Sequence, residues 1–373
     1  MRPLSVALLG SRGIPGRYGG YETLMEELGV RLVERGFRVT VYCRSHSTPK
    51  DLKSWRGVDL VVLPTIRHKY LDTPVHTLLS CLHAASAGYD AALMVNSANA
   101  LFVPLARAGG TPVALNVDGI EKRRAKWGAF GRAVYAFSER LACVVPDALV
   151  TDAEVIRRHY LERYGAESVP IAYGVDPRPP ATTGVLENLG VAPRQYFLYV
   201  SRFEPENNPH RVAEAYRKVG GVLPLVMVGG APYAGKFIAS FSRGADSRIL
   251  FPGAIYGEGY RELLSNALAY VHATEVGGTH PALVEAMGYG NCILVNDTPE
   301  NREVAGGVGL YFHAAEPDEL AAALEWVRRH PDKARARSRA AARRARLLFS
   351  WERVTDRYAE LLERLAGRRS GGP

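Results

Sequence analysis

The stretch VALLGSRGIPGRYGGYETLMEELGVRLVERGFRVTVYC, residues 6–43, indicates the fold class of the chain. It begins with a short apolar run, passes through a glycine-rich loop into an amphipathic segment at 21–36, and ends in a second apolar run. The apolar side chains of that segment fall on one face of a helix: Leu24, Leu28, Leu32 and Val33. Apolar runs that alternate with such helices are typical of a parallel sheet covered by helices on both faces.

The same alternation continues along the chain and restarts once. Further apolar runs lie at 59–64, 91–96, 112–117 and 147–152, and then at 196–201, 224–229, 248–253, 269–274, 291–296 and 308–312. We therefore predict an α/β protein with two doubly wound, Rossmann-like domains, 1–174 and 194–350, joined by a Gly-, Pro- and Thr-rich linker at 175–193. Ligands bind beyond the carboxyl ends of such strands, so we expect the active site in the cleft between the domains. A final amphipathic helix is predicted at 351–370, and its packing partner is not visible from the sequence.

Composition and charge exclude several function classes. The chain has 373 residues, of which 47% are hydrophobic and 23% charged, as in globular rather than disordered proteins. The net charge of +9 suits an anionic partner, but no basic motif of a nucleic-acid-binding fold occurs, so we expect no nucleic acid. No apolar run approaches the ~20 residues that cross a bilayer. His272 and His280 have no third ligand at a useful spacing, and we expect neither a metal nor a cofactor.

The glycine-rich loop at 10–20 is the first candidate site. Gly19 and Gly20 allow a ligand to approach the backbone closely, and the helix that follows offers free N–H groups to an anion. A merely flexible loop remains an alternative. A nicotinamide cofactor, with Arg44 on its 2′-phosphate, is disfavoured because the G-x-G-x-x-G fingerprint is missing.

The second candidate site is VSRFEPENN, residues 200–208, at the end of the first strand of the second predicted domain. A guanidinium at Arg202 would bind a diphosphate with two parallel hydrogen bonds and stay charged at any useful pH. The alternative is a surface ion pair with Glu204 or Glu206.

The third and strongest candidate is THPALVEAMGYG, residues 279–290, which follows Gly277 and Gly278. These glycines allow a close turn, Thr279 or the histidine after it can cap the helix, and a proline suits the first helical turn. Glu285, about one turn into the helix, can accept two vicinal hydroxyls such as those of a ribose. Alternatively, Glu285 only complements the helix dipole.

Three weaker features complete the set. Asp118 follows a predicted strand and should point into the cleft, or else it caps a helix. The basic run Lys122, Arg123, Arg124 and Lys126 suits a phosphate or a lipid headgroup, and a solvated helix face is an equal alternative. Gly229 and Gly230 end a predicted strand, and Lys236 follows them in another cleft-facing loop.

Taken together, these motifs resemble those of the family 4 glycosyltransferases of GT-B fold, over nearly the whole chain. The matching segments are GSRGIPGRYGGYET, NVDGIEKRRAKW, RFEPENN, VGGTHPALVEAMGYG and VNDTPENREVAG. The resemblance is closest to a bacterial subgroup often described as rhamnosyltransferases. It implies two Rossmann-like domains that face each other across a cleft, with a C-terminal helix that crosses back to the first domain.

The resemblance also implies roles for single residues. Gly19 and Gly20 match the loop that approaches the donor phosphate and the acceptor, and Arg202 matches the arginine that binds the diphosphate. Glu285 matches the second Glu of the family's E-x7-E motif, which holds the ribose of the donor. The segment 277–279 matches the loop that meets the transferred sugar and phosphate.

The chain departs from the family pattern at two positions. The first Glu of E-x7-E falls at Gly277, and the diphosphate-binding Lys falls at Asn207. Glu275 is one candidate substitute for the missing Glu, although it lies two residues early. Lys236 is our candidate for the missing cation.

We therefore predict a retaining glycosyltransferase that uses a nucleotide-diphosphate sugar, with Arg202, Glu285 and Asp118 as catalytic residues. The resemblance favours dTDP-rhamnose as donor, with a UDP- or GDP-sugar as alternatives, and a glycan or polyprenyl-linked saccharide acceptor in bacterial polysaccharide assembly. We expect a cytoplasmic protein with peripheral contact to an anionic membrane. The alternatives are a nucleotide-sugar epimerase of similar fold and a non-catalytic protein that binds sugar nucleotides.

Overall fold

The computed structural model describes residues 2–16, 19–68, 70–120, 128–179, 181–231, 234–244 and 246–370. These residues divide into two compact units. The first unit consists of the described parts of 2–174 together with 351–370, and the second consists of those of 175–350.

Each unit is built on a largely parallel sheet. The strands of the first unit are β1 (Ser5–Leu9), β2 (Arg38–Arg44), β3 (Ser54–Trp55), β4 (Val58–Leu63), β5 (Ala91–Val95), β6 (Val113–Val117), β7 (Ala148–Thr151) and β8 (Val169–Pro170), in the order β3-β4-β2-β1-β5-β6-β7-β8. Those of the second are β9 (Phe197–Arg202), β10 (Leu225–Gly230), β11 (Ile249–Gly253), β12 (Ala269–His272), β13 (Cys292–Asn296) and β14 (Leu310–Phe312), in the order β11-β10-β9-β12-β13-β14. All described pairings are parallel except that of β3 with β4. The predicted α/β fold of two Rossmann-like units is confirmed.

Helices connect the strands in both units. They are α1 (Gly20–Glu34), α2 (Asp72–Ala87), α3 (Val103–Arg107), α4 (Ala129–Ala142), α5 (Glu154–Tyr164), α6 (Val185–Leu189), α7 (Pro209–Arg217), α8 (Gly235–Ser242), α9 (Gly257–Asn266), α10 (Pro281–Gly288), α11 (Pro299–Ala305), α12 (Pro317–Arg329), α13 (Pro331–Leu348) and α14 (Trp351–Ser370). Two strands were not expected from the sequence: β3 and β8 have two residues each, too few for a periodic pattern.

The last helix, α14, packs in the core of the first unit against α1 and β5. Its apolar face is buried throughout: Val354, Tyr358, Leu361, Leu362 and Leu365. Arg35, just after α1, donates to Glu352 at 2.6 Å and to Asp356 at 2.7 Å. The return of the chain to the first unit, which the resemblance implied, is therefore confirmed.

The stretch expected as a linker contains α6 and belongs to the second unit. The backbone N–H of Thr183 donates to Glu262 at 2.7 Å, and that of Val175 donates to the carbonyl of Phe349 at 2.6 Å. The Gly- and Pro-rich composition of this stretch indicates only that its local conformation is irregular. It does not show that the stretch packs on the second unit, because the partners lie far away along the chain.

Candidate functional site

Arg202 is the last residue of β9, at the carboxyl edge of the second sheet. Its side chain is 42% exposed, and its Nη1 lies 3.7 Å from Oε1 of Glu204. The alternative ion pair therefore exists, but an exposed pair at this distance is weak. A guanidinium carries five N–H donors, so most of its hydrogen-bonding capacity remains for a ligand.

The turn after Arg202 is fixed by a buried asparagine. Asn207 Nδ2 donates to the carbonyl of Arg202 at 2.7 Å, and the Tyr199 hydroxyl donates to the carbonyl of Asn207 at 2.6 Å. Asn207 is 5% exposed, because its side chain turns into the loop. At the position where the resembled family has a lysine, this chain therefore has a residue that holds the backbone of Arg202.

The next residue, Asn208, joins this turn to the segment that follows β12. Its Nδ2 donates to the carbonyl of Ala273 at 2.9 Å and to Oε1 of Glu275 at 2.8 Å. The backbone N–H of Glu275 donates in turn to the carbonyl of Glu206 at 2.9 Å. Glu275, the candidate substitute for the missing Glu, thus has one carboxylate oxygen bonded within the protein.

The geometry at Gly277 explains why a glycine stands where the resembled family has a glutamate. A Cβ atom at this position would lie 2.3 Å from Cε1 of the His280 ring, far inside van der Waals contact. That ring in turn lies against His272, with 4.8 Å between the two ring centroids. Burial lowers the pKa of His272 to about 3, so this histidine is neutral at physiological pH.

The helix after this loop, α10, begins at Pro281, as its sequence predicts. Thr279 is buried at 2% exposure. Of the two predicted caps, His280 occupies the N-cap position, and its side chain makes no capping hydrogen bond to the described helix backbone. The histidine ring packs against His272 instead.

Glu285 lies beyond the first turn of α10 and faces α9. The hydroxyl of Tyr260 donates to its Oε2 at 2.7 Å. Burial and the neighbouring carboxylate raise the pKa of Tyr260 well above its usual value, so the phenol stays a donor. Because Tyr260 fixes the carboxylate and α10 has no acidic residue in its first turn, the helix-dipole alternative loses its geometric basis. Tyr260 lies 25 residues from Glu285 along the chain, and no local motif marks it as a partner of this carboxylate.

In the first unit, the glycine-rich loop is held by two carboxylates of α1. The backbone N–H of Arg12 donates to Glu22 at 3.0 Å, and that of Gly16 donates to Glu26. Gly19 is the N-cap of α1 and Gly20 its first residue, while 17 and 18 lie outside the described residues. Glu22 therefore supplies negative charge at a helix terminus where the sequence suggested an anion.

Asp118 follows β6, as predicted, and its Oδ2 lies 3.5 Å from the hydroxyl of Tyr173. It is not the N-cap of α4, because Gly128 holds that position.

Arg44 is the residue that a nicotinamide cofactor would need for its 2′-phosphate. Its guanidinium donates to Asp72 at 2.6 Å, and its side chain is almost fully buried.

Among the remaining predicted residues, Gly229 and Gly230 lie beside Ser201 and Arg202, with which they pair in the sheet. Lys236 lies exposed at the start of α8, and Gly229 and Gly230 end β10. A Cβ at Gly229 would lie 1.8 Å from the carbonyl oxygen of Ser201, so this glycine lets β10 approach β9. The basic run Lys122, Arg123, Arg124 and Lys126 lies outside the described residues. Within the described parts of the chain, no three His, Cys, Asp or Glu side chains are grouped to hold a metal ion.

Two family models match the sequence, one in each unit. Residues 19–173 match the glycosyl transferase 4-like domain, and residues 188–345 match the glycosyl transferases group 1 domain. Among curated proteins, none matches the sequence.

Solved structures of glycosyltransferases share the fold. Sucrose-phosphate synthase from Thermosynechococcus elongatus is 18% identical with a TM-score of 0.82, covering 97% of this chain and 99% of its own. Anabaena Alr3699/HepE in complex with UDP-glucose is 14% identical with a TM-score of 0.77, covering 96% and 99%. The α,α-trehalose 6-phosphate synthase from Burkholderia multivorans is 13% identical with a TM-score of 0.71, covering 99% and 98%. With two such domains in tandem over most of its length, the chain belongs to the family 4 glycosyltransferases of GT-B fold.

Proposed function

We propose that the protein transfers a sugar from a nucleotide-diphosphate donor with retention of configuration, and that dTDP-rhamnose is the leading donor. The observation that carries the diphosphate donor is the half-exposed guanidinium of Arg202 at the carboxyl edge of β9, where Asn207 and Asn208 hold the turn that follows. The choice of dTDP-rhamnose and of retention rests on the family resemblance of the motifs. UDP- and GDP-sugars are alternative donors; a solved structure of this fold, that of Alr3699/HepE, contains UDP-glucose.

The chemical problem of such a reaction is the charge of the leaving group. The bond between the anomeric carbon and the donor phosphate breaks, a bond to the acceptor oxygen forms, and the departing phosphate takes the acceptor proton. Arg202 stabilises the negative charge that develops on the diphosphate, with Lys236 and the N-terminus of α10 as further donors. This route needs neither a metal nor an enzymatic nucleophile. We place Asp118 on the acceptor side of the reaction.

The nucleotide is proposed to lie against Glu285. Its carboxylate accepts hydrogen bonds from the ribose hydroxyls while Tyr260 holds it in place. A ribose offers two vicinal hydroxyls, whereas the deoxyribose of a dTDP-sugar offers only the 3′-hydroxyl. The contribution of Glu285 therefore depends on the base and sugar of the donor.

Glu285→Gln is expected to weaken UDP binding about tenfold. The amide still accepts a hydrogen bond, but bonds to a charged acceptor are worth roughly 1.4 kcal/mol more than bonds to a neutral one. The loss should be smaller for dTDP, which has one hydroxyl fewer. Titration of the variant with UDP and dTDP measures both effects. Glu258→Gln, an exposed carboxylate on the neighbouring α9, is the matched control. Unchanged affinity for both nucleotides would remove Glu285 from the donor site.

A screen of nucleotide sugars tests the function as a whole. A donor that binds the native state raises the melting temperature by mass action. Transfer is then identified by the appearance of that donor's sugar on an added acceptor. Inversion of the donor sugar without transfer would favour the epimerase alternative. Binding without transfer or hydrolysis would favour a non-catalytic binding protein.

The acceptor is proposed to be a glycan or a polyprenyl-linked saccharide in bacterial polysaccharide assembly, met on the cytoplasmic side. The basic run from Lys122 to Lys126 is proposed to serve this side of the reaction, because cations near a membrane attract anionic headgroups. No helix in the described parts of the chain is long and apolar enough to span a membrane.

A further inference from the structure

Positive charge concentrates on one helix of the second unit, α13. Between Asp332 and Glu352 the sequence has no acidic residue, whereas seven Lys or Arg residues lie at 333–346. Four of these arginines have exposed side chains and are spaced by four, four and three residues: Arg335, Arg339, Arg343 and Arg346. That spacing places them along one face of the helix over about 16 Å. We call these four residues the α13 arginine stripe.

The stripe lies on the solvent side of a well-packed helix. The apolar face of α13 is buried, and the helix packs against α10 and β13. The buried residues are all small: Ala334, Ser338, Ala341 and Ala345. Two further arginines hold neighbouring segments. Arg344 donates to the carbonyl of Val304 at 2.8 Å, and Arg337 donates to a carbonyl of the next segment, that of Val308, at 3.3 Å. The arginines of the stripe are therefore not required for the packing of α13.

Negative charge within the protein does not compensate the stripe. Arg335 lies 3.8 Å from Asp332, but both side chains are mostly exposed, at 71% and 94%, and such a pair is weak. In the described parts of the chain, the other three arginines of the stripe have no ion-pair partner. Burial and the nearby charge of Arg335 lower the pKa of Arg194, so a further guanidinium adjoins this end of the stripe. Because like charges three or four residues apart destabilise a helix, the stripe lowers the stability of α13 unless an anion binds there.

We propose that the α13 arginine stripe binds an acidic polysaccharide, whose carboxylate or phosphate groups pair with successive arginines. A guanidinium binds either group through two parallel hydrogen bonds and stays charged at any physiological pH. Contacts that are weak singly add up along one chain, since every contact after the first is intramolecular. The identity of the polymer rests on the proposed function, which gives the enzyme a glycan acceptor. The packing of α13 on α10, which carries Glu285, places the stripe one helix away from the proposed donor site.

Other polyanions match the stripe less well. Single-stranded nucleic acid is bound by aromatic side chains on which its bases stack, and α13 contains no aromatic residue. A duplex suits a broad basic surface, whereas the stripe is one side chain wide. A helix at a membrane surface exposes its apolar face, but that of α13 is buried. An acidic protein would need a large apolar anchor among the charges, and only Ala and Ser lie between the arginines from 335 to 346.

Binding of labelled polysaccharides to the full chain tests the proposal. The probes are alginate, whose charges are carboxylates, teichoic acid, whose charges are phosphates, and neutral dextran. The wild type should bind at least one of the two acidic polymers, with an affinity that falls as salt rises, and should not bind dextran. Arg335→Glu combined with Arg343→Glu should weaken that binding about tenfold or more, because two contacts become repulsive. A wild type that binds neither acidic polymer at low salt would overturn the proposal.

The chain offers a control with the same net charge. Arg38 and Arg67 are exposed in the first unit, so Arg38→Glu with Arg67→Glu exchanges two positive for two negative charges elsewhere. This control should bind the acidic polymers almost as the wild type does. Equal losses in the control and in the Arg335 and Arg343 variant would show attraction to the overall charge of the protein, and would overturn the proposal.

Thermal unfolding separates a binding role of the stripe from a structural one. In the Arg335 and Arg343 variant the charges along the stripe alternate in sign, so repulsive neighbours become attractive ones. The melting temperature should therefore rise by about 2 °C while polymer binding falls. A variant that melts below the wild type would show that these arginines stabilise the second unit, and the proposal would fail.

Two further readouts separate the proposal from its rivals and from the proposed function. Tighter binding of single-stranded oligothymidylate, or of phosphatidylglycerol vesicles, than of both acidic polysaccharides would assign the stripe to another partner and overturn the proposal. Titration with UDP and dTDP should give the same affinities for the wild type and for the Arg335 and Arg343 variant. Binding of alginate or teichoic acid by a protein that binds neither nucleotide would uphold the α13 arginine stripe and reject the proposed function.

Discussion

Replacing Arg202 by Ala is expected to lower the rate of sugar transfer about 30- to 1,000-fold. Removal of one charge-assisted contact to a developing anion raises a barrier by roughly 2–4 kcal/mol, which corresponds to this range of rates. The fold should survive, because the side chain is 42% exposed and its ion pair with Glu204 is long, at 3.7 Å. Steady-state kinetics with the donor found in the screen, together with a melting curve, measure both consequences.

Two companion variants make this experiment specific. Arg202→Lys should recover only part of the lost rate, because an ammonium cannot form the paired hydrogen bonds of a guanidinium. Arg211 on α7 is matched in exposure at 41% and pairs with Glu214, so Arg211→Ala should keep the wild-type rate. Normal turnover of Arg202→Ala would exclude this arginine from the reaction.

Leu362→Asp is expected to lower the free energy of unfolding of the first unit by roughly 4 kcal/mol or more. Leu362 lies on α14 and is fully buried in the core of the first unit. The change therefore removes apolar contacts and buries a carboxylate. Denaturant unfolding, followed in parallel with limited proteolysis of the two units, measures the loss. The nucleotide binding proposed for Arg202 and Glu285 gives a separate readout of the integrity of the second unit.

The control for this prediction is the adjacent position. Glu363 is exposed on the same helix, and Glu363→Asp should change the free energy of unfolding by less than about 0.5 kcal/mol. If Leu362→Asp unfolds at the denaturant concentration of the wild type, then α14 contributes nothing to the first unit in solution.

The strands of both sheets show what periodicity can predict. The expected runs at 6–10, 39–43, 91–96 and 291–296 correspond within one or two residues to β1, β2, β5 and β13. A strand that is buried on both faces must be apolar over its whole length. Such a strand can therefore be recognised from its own five or six residues. The same holds for α10, whose start at Pro281 follows from residues that are adjacent in sequence.

The hydrogen bonds that hold the loops of the candidate site could not be predicted from periodicity. Asn208 bonds Ala273 and Glu275, and Tyr260 bonds Glu285, across separations of 65, 67 and 25 residues. The residues next to a polar side chain in the sequence do not show whether its partner is a ligand or a distant carbonyl of the same protein. The inward turn of Asn207 and the clash that excludes a side chain at Gly277 therefore appear only when the loops are folded together.

The sequence by itself determined the fold class, the succession of strands and helices, the residues at the carboxyl ends of the strands, and the apolar face of α14. The tertiary structure alone decided that α14 covers α1, that α6 and its flanking residues join the second unit, and that the leucines of α2 remain uncovered. The physical reason is that periodicity specifies which face of an element must leave water, whereas the surface that covers this face depends on contacts between distant parts of the chain.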